Sequence, residues 1–319
     1  MSQSIHHKAA LTTGKADARL PAALSLSERL GSATNPNEVA AVLCMSLQQT
    51  QGVDGLAQAF KDRAAKLSAA APQHEFSAFD PTHRGVFGPQ TSVRPSMFSE
   101  PIILNDPDLY GQQTLVKALQ QFLPSPLSPD LLRPNLANVA LWAQGIYFDS
   151  FRSEEKTPGE RQTFLMNHEG DVPLAALRGK RFVQCAERAP AFANLLSVLG
   201  FDVLSVASMC TLGAKAEMHM FNLVESRSRL LITDPTNPVV WRYSDGRRSY
   251  SLATYEIPRD EIATFMNGGD IAVTHRDFRE TDGEKFEPSE GEARIYKGPR
   301  TMGECAEAFY AQFDFHSAK

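Results

Sequence analysis

The sequence predicts an α+β protein in which a helical N-terminal region precedes a helix packed on an antiparallel sheet. Three observations predict it. Apolar residues recur at helical spacing between residues 22 and 67, and again between 115 and 147. After residue 200 the pattern changes to apolar runs of strand length separated by short polar turns. Between them stands a helical stretch that begins beside Cys185 and ends on Leu199-Gly200, with glycine in the usual C-terminal position.

Residues 1–21 are rich in Ser, Thr, Ala, Lys and His and nearly lack large apolar side chains, which predicts a flexible tail. Val39, Val42, Leu43 and Leu47 fall at i, i+3, i+4 and i+8, predicting a helix capped by Asn37 after Pro36, with Cys44 as a small buried residue inside it. Leu56, Phe60 and Leu67 predict the next helix. In residues 68–107, Pro72, Pro81, Pro89, Pro95, Pro101 and Pro107 recur every six to nine residues. That spacing rules out long regular elements and leaves an extended wrap or a linker. Leu115, Leu119 and Phe122, then Leu136, Val139, Ala140, Ala143 and Tyr147, restore helical spacing.

The division is therefore 22–156 for the helical region, with 68–107 its Pro-rich part, and 157–319 for a second domain. There the expected elements are a helix over Ala186–Leu199 and strands over Phe201–Met209, Met218–Val224 and Leu230–Thr233. Trp241, Tyr243, Tyr250 and Tyr255 bracket a Ser244-Asp-Gly-Arg247 turn and predict a hairpin. A short helix over Asp260–Met266, a Gly- and charge-rich stretch 267–300 and a terminal helix Met302–Phe315 bearing Cys305 complete the chain.

Composition bounds the function. Of 319 residues, 42% are hydrophobic and 22% charged, as in soluble globular proteins. The 32 basic and 37 acidic side chains leave a net charge of −5, which argues against a nucleic-acid partner. No apolar run is long enough to span a membrane, and the N-terminus lacks the apolar stretch of a Sec signal peptide. Cys44, Cys185, Cys210 and Cys305 are dispersed without a Cys-x-x-Cys pair, so neither a disulfide framework nor a metal site is expected. A reducing, cytoplasmic setting fits.

The chemistry concentrates in 179–238, with a Cys before a helix, a His in a strand and an Asp ending the next strand. A thiol nucleophile needs surroundings that favour the thiolate, a base that takes and returns a proton, and a group that fixes the base's tautomer. Cys185, His219 and Asp234 supply these in order. A four-residue loop Glu225–Ser228 would set Val224 opposite Arg229, Leu223 opposite Leu230 and Asp234 directly opposite His219. Changing the loop by two residues keeps His219 and Asp234 on one face; changing it by one separates them. Cys185 lies on the stripe Ala189, Phe192, Leu196 and Leu199, facing the sheet, with Pro190 tolerable only if Cys185 opens the helix. Free N–H groups there would stabilise an anion or oxyanion.

Cys185-Ala-Glu-Arg-Ala-Pro-Ala-Phe-Ala-Asn-Leu-Leu-Ser-Val-Leu-Gly200, His219 in an apolar strand and Asp234-Pro-Thr236 together resemble the core of the transglutaminase-like, papain-related superfamily. The likeness covers about 60 residues of the chain. It implies a Cys-bearing helix on an antiparallel sheet carrying His and Asp, and acyl transfer on a protein amide through a thioester, without cofactor or metal. The chain departs from the family pattern in having Val183-Gln184 before the Cys and Met220-Phe221 after the His. The resemblance extends to bacterial effectors of the AvrPphE/HopX type, which implies export without a Sec signal into a host cell.

Two rivals stand beside this reading. An arylamine N-acetyltransferase-like enzyme also uses Cys, His and Asp in that order, with acetyl-CoA, but carries its Cys early in the chain. A binding module would keep the three residues as a vestige. Cys210, His168, His275 and Asn237 are further candidates, Asn237 because papain-like enzymes orient their His with Asn. Gln184, Gln144 and Trp142 are candidate oxyanion donors.

Overall fold

The computed structural model describes residues 24–48, 53–72, 75–77, 82–94, 101–110, 145, 147–148, 158–212, 215–226, 229–242, 248–273, 287–288 and 294–299. Among the described residues it is a mixed α+β structure: a helical N-terminal region and an antiparallel sheet that curls toward a barrel. The expected tail, the helical spacings over 115–143, the 244–247 turn and the helix over 302–315 lie outside the described residues. So do Trp142, Gln144, His275 and Cys305, and the side chain of Cys44.

The N-terminal helices are α1 (Leu26–Ser32), α2 (Pro36–Gln48) and α3 (Val53–Ala70). Ser25 and Glu28 close a reciprocal cap on α1. Asn35 caps α2, its Oδ1 accepting from the N–H groups of Asn37 and Glu38 at 3.0 and 3.1 Å. The expected cap at Asn37 is thus corrected: Pro36 takes the first helical position, where its missing N–H costs nothing, and the cap moves back one residue. α3 also runs three residues past Leu67, into the segment expected to be irregular.

The Pro-rich stretch is a wrap, built of β1 (Glu75–Ser77), β2 (Thr82–Arg84), β3 (Ser92–Arg94), β4 (Ile102–Ile103) and the single turn α4 (Pro107–Tyr110). β1, β3 and β4 join β5 (Val172–Pro173) in a small sheet, while β2 pairs with the main sheet. α5 (Pro158–Asn167) and α6 (Cys185–Val198) follow.

The main sheet is ordered β10-β12-β6-β7-β8-β11, with β2 added beside β6 and β9 beside β8. Its strands are β6 (Asp202–Leu212), β7 (Lys215–Ser226), β8 (Arg229–Arg242), β9 (Arg248–Ile257), β10 (Asp270–Val273), β11 (Glu287–Pro288) and β12 (Arg294–Lys297). The short helix α7 (Ile262–Met266) lies between β9 and β10. Among its described residues the stretch 267–300, read from sequence as rich in Gly and charge, supplies three strands. They are short, and two are only partly apolar, so period-two alternation is too brief to register.

α6 is the central helix: every residue after Cys185 is buried. Its C-terminal half, through Phe192, Leu195, Leu196 and Leu199, packs with Leu30, Val39, Leu43 and Phe60 of α1–α3. Its N-terminal half packs with Phe87, Val93 and Ile102 of the wrap and with Val172 of β5. The opposite face of the sheet has its own core, in which Phe221, Ile232, Tyr255, Phe265 and Tyr296 meet. Gly200 ends α6 at φ +91°, and a Cβ there would lie 2.6 Å from the Asn35 carbonyl carbon. Only glycine permits both the turn and the docking of α2 against it. No described helix is long and apolar enough to cross a membrane.

Candidate active site

Cys185 is the first residue of α6, with Gln184 as the flanking extended residue. Pro190 is therefore sixth in the helix and removes one hydrogen bond near its start without breaking it. The first turn is held from outside. Arg161 of α5 grips Glu187 with both guanidinium nitrogens, Nη1 at 3.0 Å from Oε2, and also donates to the Phe182 carbonyl at 3.2 Å. Glu187, fully buried, in turn accepts from the Gln184 N–H at 2.8 Å. A buried bidentate pair of this kind fixes geometry at both ends, because misplacing either partner strands a charge without solvent. Cys185 itself remains half-buried, and the Gln184 side chain beside it is exposed.

The β7–β8 hairpin differs from the register expected of a four-residue loop. Ser226 pairs with Arg229, Leu223 with Ile232 and Asn222 with Thr233, so the loop is two residues long and the register is shifted by two. Asp234 is thus a diagonal neighbour of His219 instead of its direct opposite. Parity is preserved, so both side chains still stand on the same face. His219 Nε2 donates to Asp234 Oδ2 at 2.9 Å, and both residues are buried. The Cys185 side chain also hydrogen-bonds the imidazole. With Nε2 committed to Asp234, Nδ1 is the nitrogen left to face sulfur. The structure brings the three sequence-predicted residues together.

Asp234 does two jobs, because its two oxygens point apart. Oδ1 accepts from the N–H groups of Thr236 and Asn237, both at 3.0 Å, which shapes the Asp-Pro-Thr turn. That turn is a bulge in β8: Asp234 pairs with Ala253 and Val239 with Ser251, five steps on one strand against two on the other. Oδ2 faces His219 and also accepts from the Tyr296 hydroxyl at 2.9 Å and from Asn237 Nδ2 at 3.3 Å. The bulge is what turns Asn237 back into the site, its Nδ2 lying 3.4 Å from His219 Nε2.

Electrostatics follow from this packing. Burial alone would lower the proton affinity of His219, but the Asp234 charge and hydrogen bond outweigh it, and the pKa is pushed up to about 10. Burial alone would raise Asp234, but His219, Arg294 and the Asn237 amide hold it well below the usual carboxylate range. Arg294 reaches the same turn by donating to the carbonyls of Asn237 and Pro238. At neutral pH the site therefore holds an imidazolium against a carboxylate.

The remaining candidates separate clearly. Cys210 lies buried on β6, opposite Glu217 and Tyr296, where burial first and then the Asp234 charge push its thiol far up. A buried protonated thiol is a poor nucleophile. His168 is half-buried just past the end of α5, with Nδ1 3.4 Å from the Gly170 carbonyl. Tyr296 and Arg294 went unnoticed in the sequence, because nothing local in the short run Arg-Ile-Tyr-Lys marks either the strand or its partner. Among the described residues, no group of three or more His, Cys, Asp or Glu side chains could hold a metal ion. Compared with protein-family models, curated proteins and solved structures, the chain matches none.

Proposed function

We propose that the chain is a transglutaminase-like cysteine enzyme that transfers an acyl group from a protein amide through a thioester. The observation that carries this reading is the line of contacts from the Cys185 thiol to the His219 imidazole to the Asp234 carboxylate. Cys185 opens a helix, and His219 and Asp234 stand on adjacent antiparallel strands, which supports the family resemblance of the sequence.

The proton of the Cys185–His219 pair rests on the imidazole, and the Cys185 sulfur attacks the carbonyl carbon of the amide. The oxyanion faces the start of α6, where the Cys185 N–H has no acceptor within the helix and is the candidate donor. His219 Nδ1–H then protonates the departing nitrogen as the carbon–nitrogen bond breaks, leaving a thioester and an amine or ammonia. Water, giving up its proton to the now neutral His219, attacks the thioester; the carbon–sulfur bond breaks, the product is a carboxylic acid, and the sulfur is released beside the reprotonated His219, which restores the pair. An amine in place of water gives a new amide instead. An open groove of about 610 Å3 lies between α5 and the segment leading to Cys185, lined by Phe164, His168, Lys180 and Phe182 among others. It would take the chain flanking the reacting amide.

The test is mass spectrometry of candidate protein substrates incubated with wild type and with Cys185→Ala. A gain of about 1 Da at glutamine, a crosslink or a cut chain, each present only with wild type, supports the reading and says which acceptor is used. Identical products from both proteins, across a whole-cell protein mixture, would overturn it.

A further inference from the structure

Tyr296 is fully buried, and its hydroxyl donates to Asp234 Oδ2, the same oxygen that holds His219. Its position is not incidental. β12 and β8 are three strands apart in the order β12-β6-β7-β8, about 14 Å in a flat sheet. The curl of the sheet is what lets the phenol reach the carboxylate. β12 is also pinned at its end: Gly298 donates to the Gly269 carbonyl at 2.8 Å and accepts from Ser208 Oγ at 2.5 Å, and a Cβ at Gly298 would lie 1.7 Å from the Phe265 carbonyl oxygen. Ser208 is the β6 residue paired with His219.

We propose that Tyr296 is a positioning residue that weakens the hold of Asp234 on His219, so that the imidazole can part with its proton during turnover. This rests on the acyl-transfer reading above. A carboxylate oxygen that accepts several hydrogen bonds spreads its charge among them, and each added donor lowers what remains for the others. An imidazole gripped by an unshared buried carboxylate would keep its proton too firmly to serve as an acid. Burial and the Asp234 charge keep the phenol itself protonated, so it stays a donor. The other charged or titratable groups around this pair are Cys185 from α6, Cys210 from β6, Glu217 from β7, Tyr255 from β9 and Arg294 from β12. None of them accounts for the second strong donor on Oδ2.

The test is the titration of His219 by NMR in the full chain labelled at histidine, with His219→Gln identifying the resonance. Tyr296→Phe, which removes only the hydroxyl, is expected to move the midpoint upward by about half a unit to one unit, as loss of a hydrogen bond to a charged group entails. The chain made with 3-fluorotyrosine, whose more acidic hydroxyl donates more strongly, is expected to move it downward, and this arm stands even if Tyr296→Phe fails to fold. A midpoint unmoved in both, or moved the opposite way, would overturn the proposal. Failure of the underlying reading shows separately, as unchanged substrate modification in Cys185→Ala.

Discussion

The two ends of α6 are held by different physics. Its C-terminal half is sealed in apolar side chains of α1–α3, and the carbonyls at its end are met by one cation: buried Arg63 donates from Nε to the Val198 carbonyl at 2.6 Å and from Nη1 to the carbonyls of Leu30 and Ala33. A guanidinium on the negative ends of two helices at once complements both dipoles and supplies donors to their terminal carbonyls. The N-terminal end is held by directional bonds, Arg161 to Glu187 and Glu187 to the Gln184 N–H, and leaves Cys185 half-exposed. Apolar burial secures a helix but tolerates small shifts. Hydrogen-bonded ions fix an orientation, which a nucleophile needs and a packing surface does not.

This contrast can be broken at either end. Glu187→Ala leaves Arg161 buried without its partner and is expected to cost about 3–5 kcal/mol in denaturant unfolding. The rate of Cys185 alkylation per folded molecule should fall with it, because the first turn of α6 loses its tether. Arg63→Met is expected to cost about 2–3 kcal/mol, from carbonyls left without a charged donor. Its alkylation rate per folded molecule should stay at the wild-type value. Equal changes in reactivity for the two variants would contradict the division of labour between the ends.

The His219–Asp234 pair carries a pH dependence of stability. His219 binds its proton more tightly folded, with a pKa near 10, than unfolded, near 6.5. Its contribution is then complete below pH 6.5 and is lost as the pH rises toward 10. The difference in denaturant midpoint between wild type and His219→Gln should therefore shrink across that window. Asp234, held low, acts with the opposite sign: its contribution is present above about pH 4 and is lost only in more acid solution. A difference that grows with alkaline pH would contradict the ion pair.

Local patterns in the sequence carried much of this site. Helix periodicity and Gly200 located α6, and the two-residue period of strands placed His219 and Asp234 on one face even though the loop is two residues shorter than expected. Parity survives such an error; register does not. Asp-Pro-Thr read as either turn chemistry or catalytic chemistry, and Asp234 serves both because a carboxylate has two oxygens. What stayed hidden was long-range. Tyr296 meets Asp234 across 62 residues and Arg63 meets Val198 across 135, and no local spacing encodes such encounters. The cap at Asn35 was hidden for a smaller reason: proline at the first helical position moves the cap one residue upstream.

The central claim is that Cys185 and His219 act as one unit, and thiol reactivity tests it most directly. The measurement is the rate of iodoacetamide labelling at each cysteine of the native chain, followed by peptide mass spectrometry, in wild type and in His219→Ala. The expected result is Cys185 labelled at least about tenfold faster than an unstructured peptide thiol, an excess that His219→Ala removes while Cys210 stays protected in both. A Cys185 that labels no faster than the peptide thiol, or equally fast without the imidazole, would contradict the account.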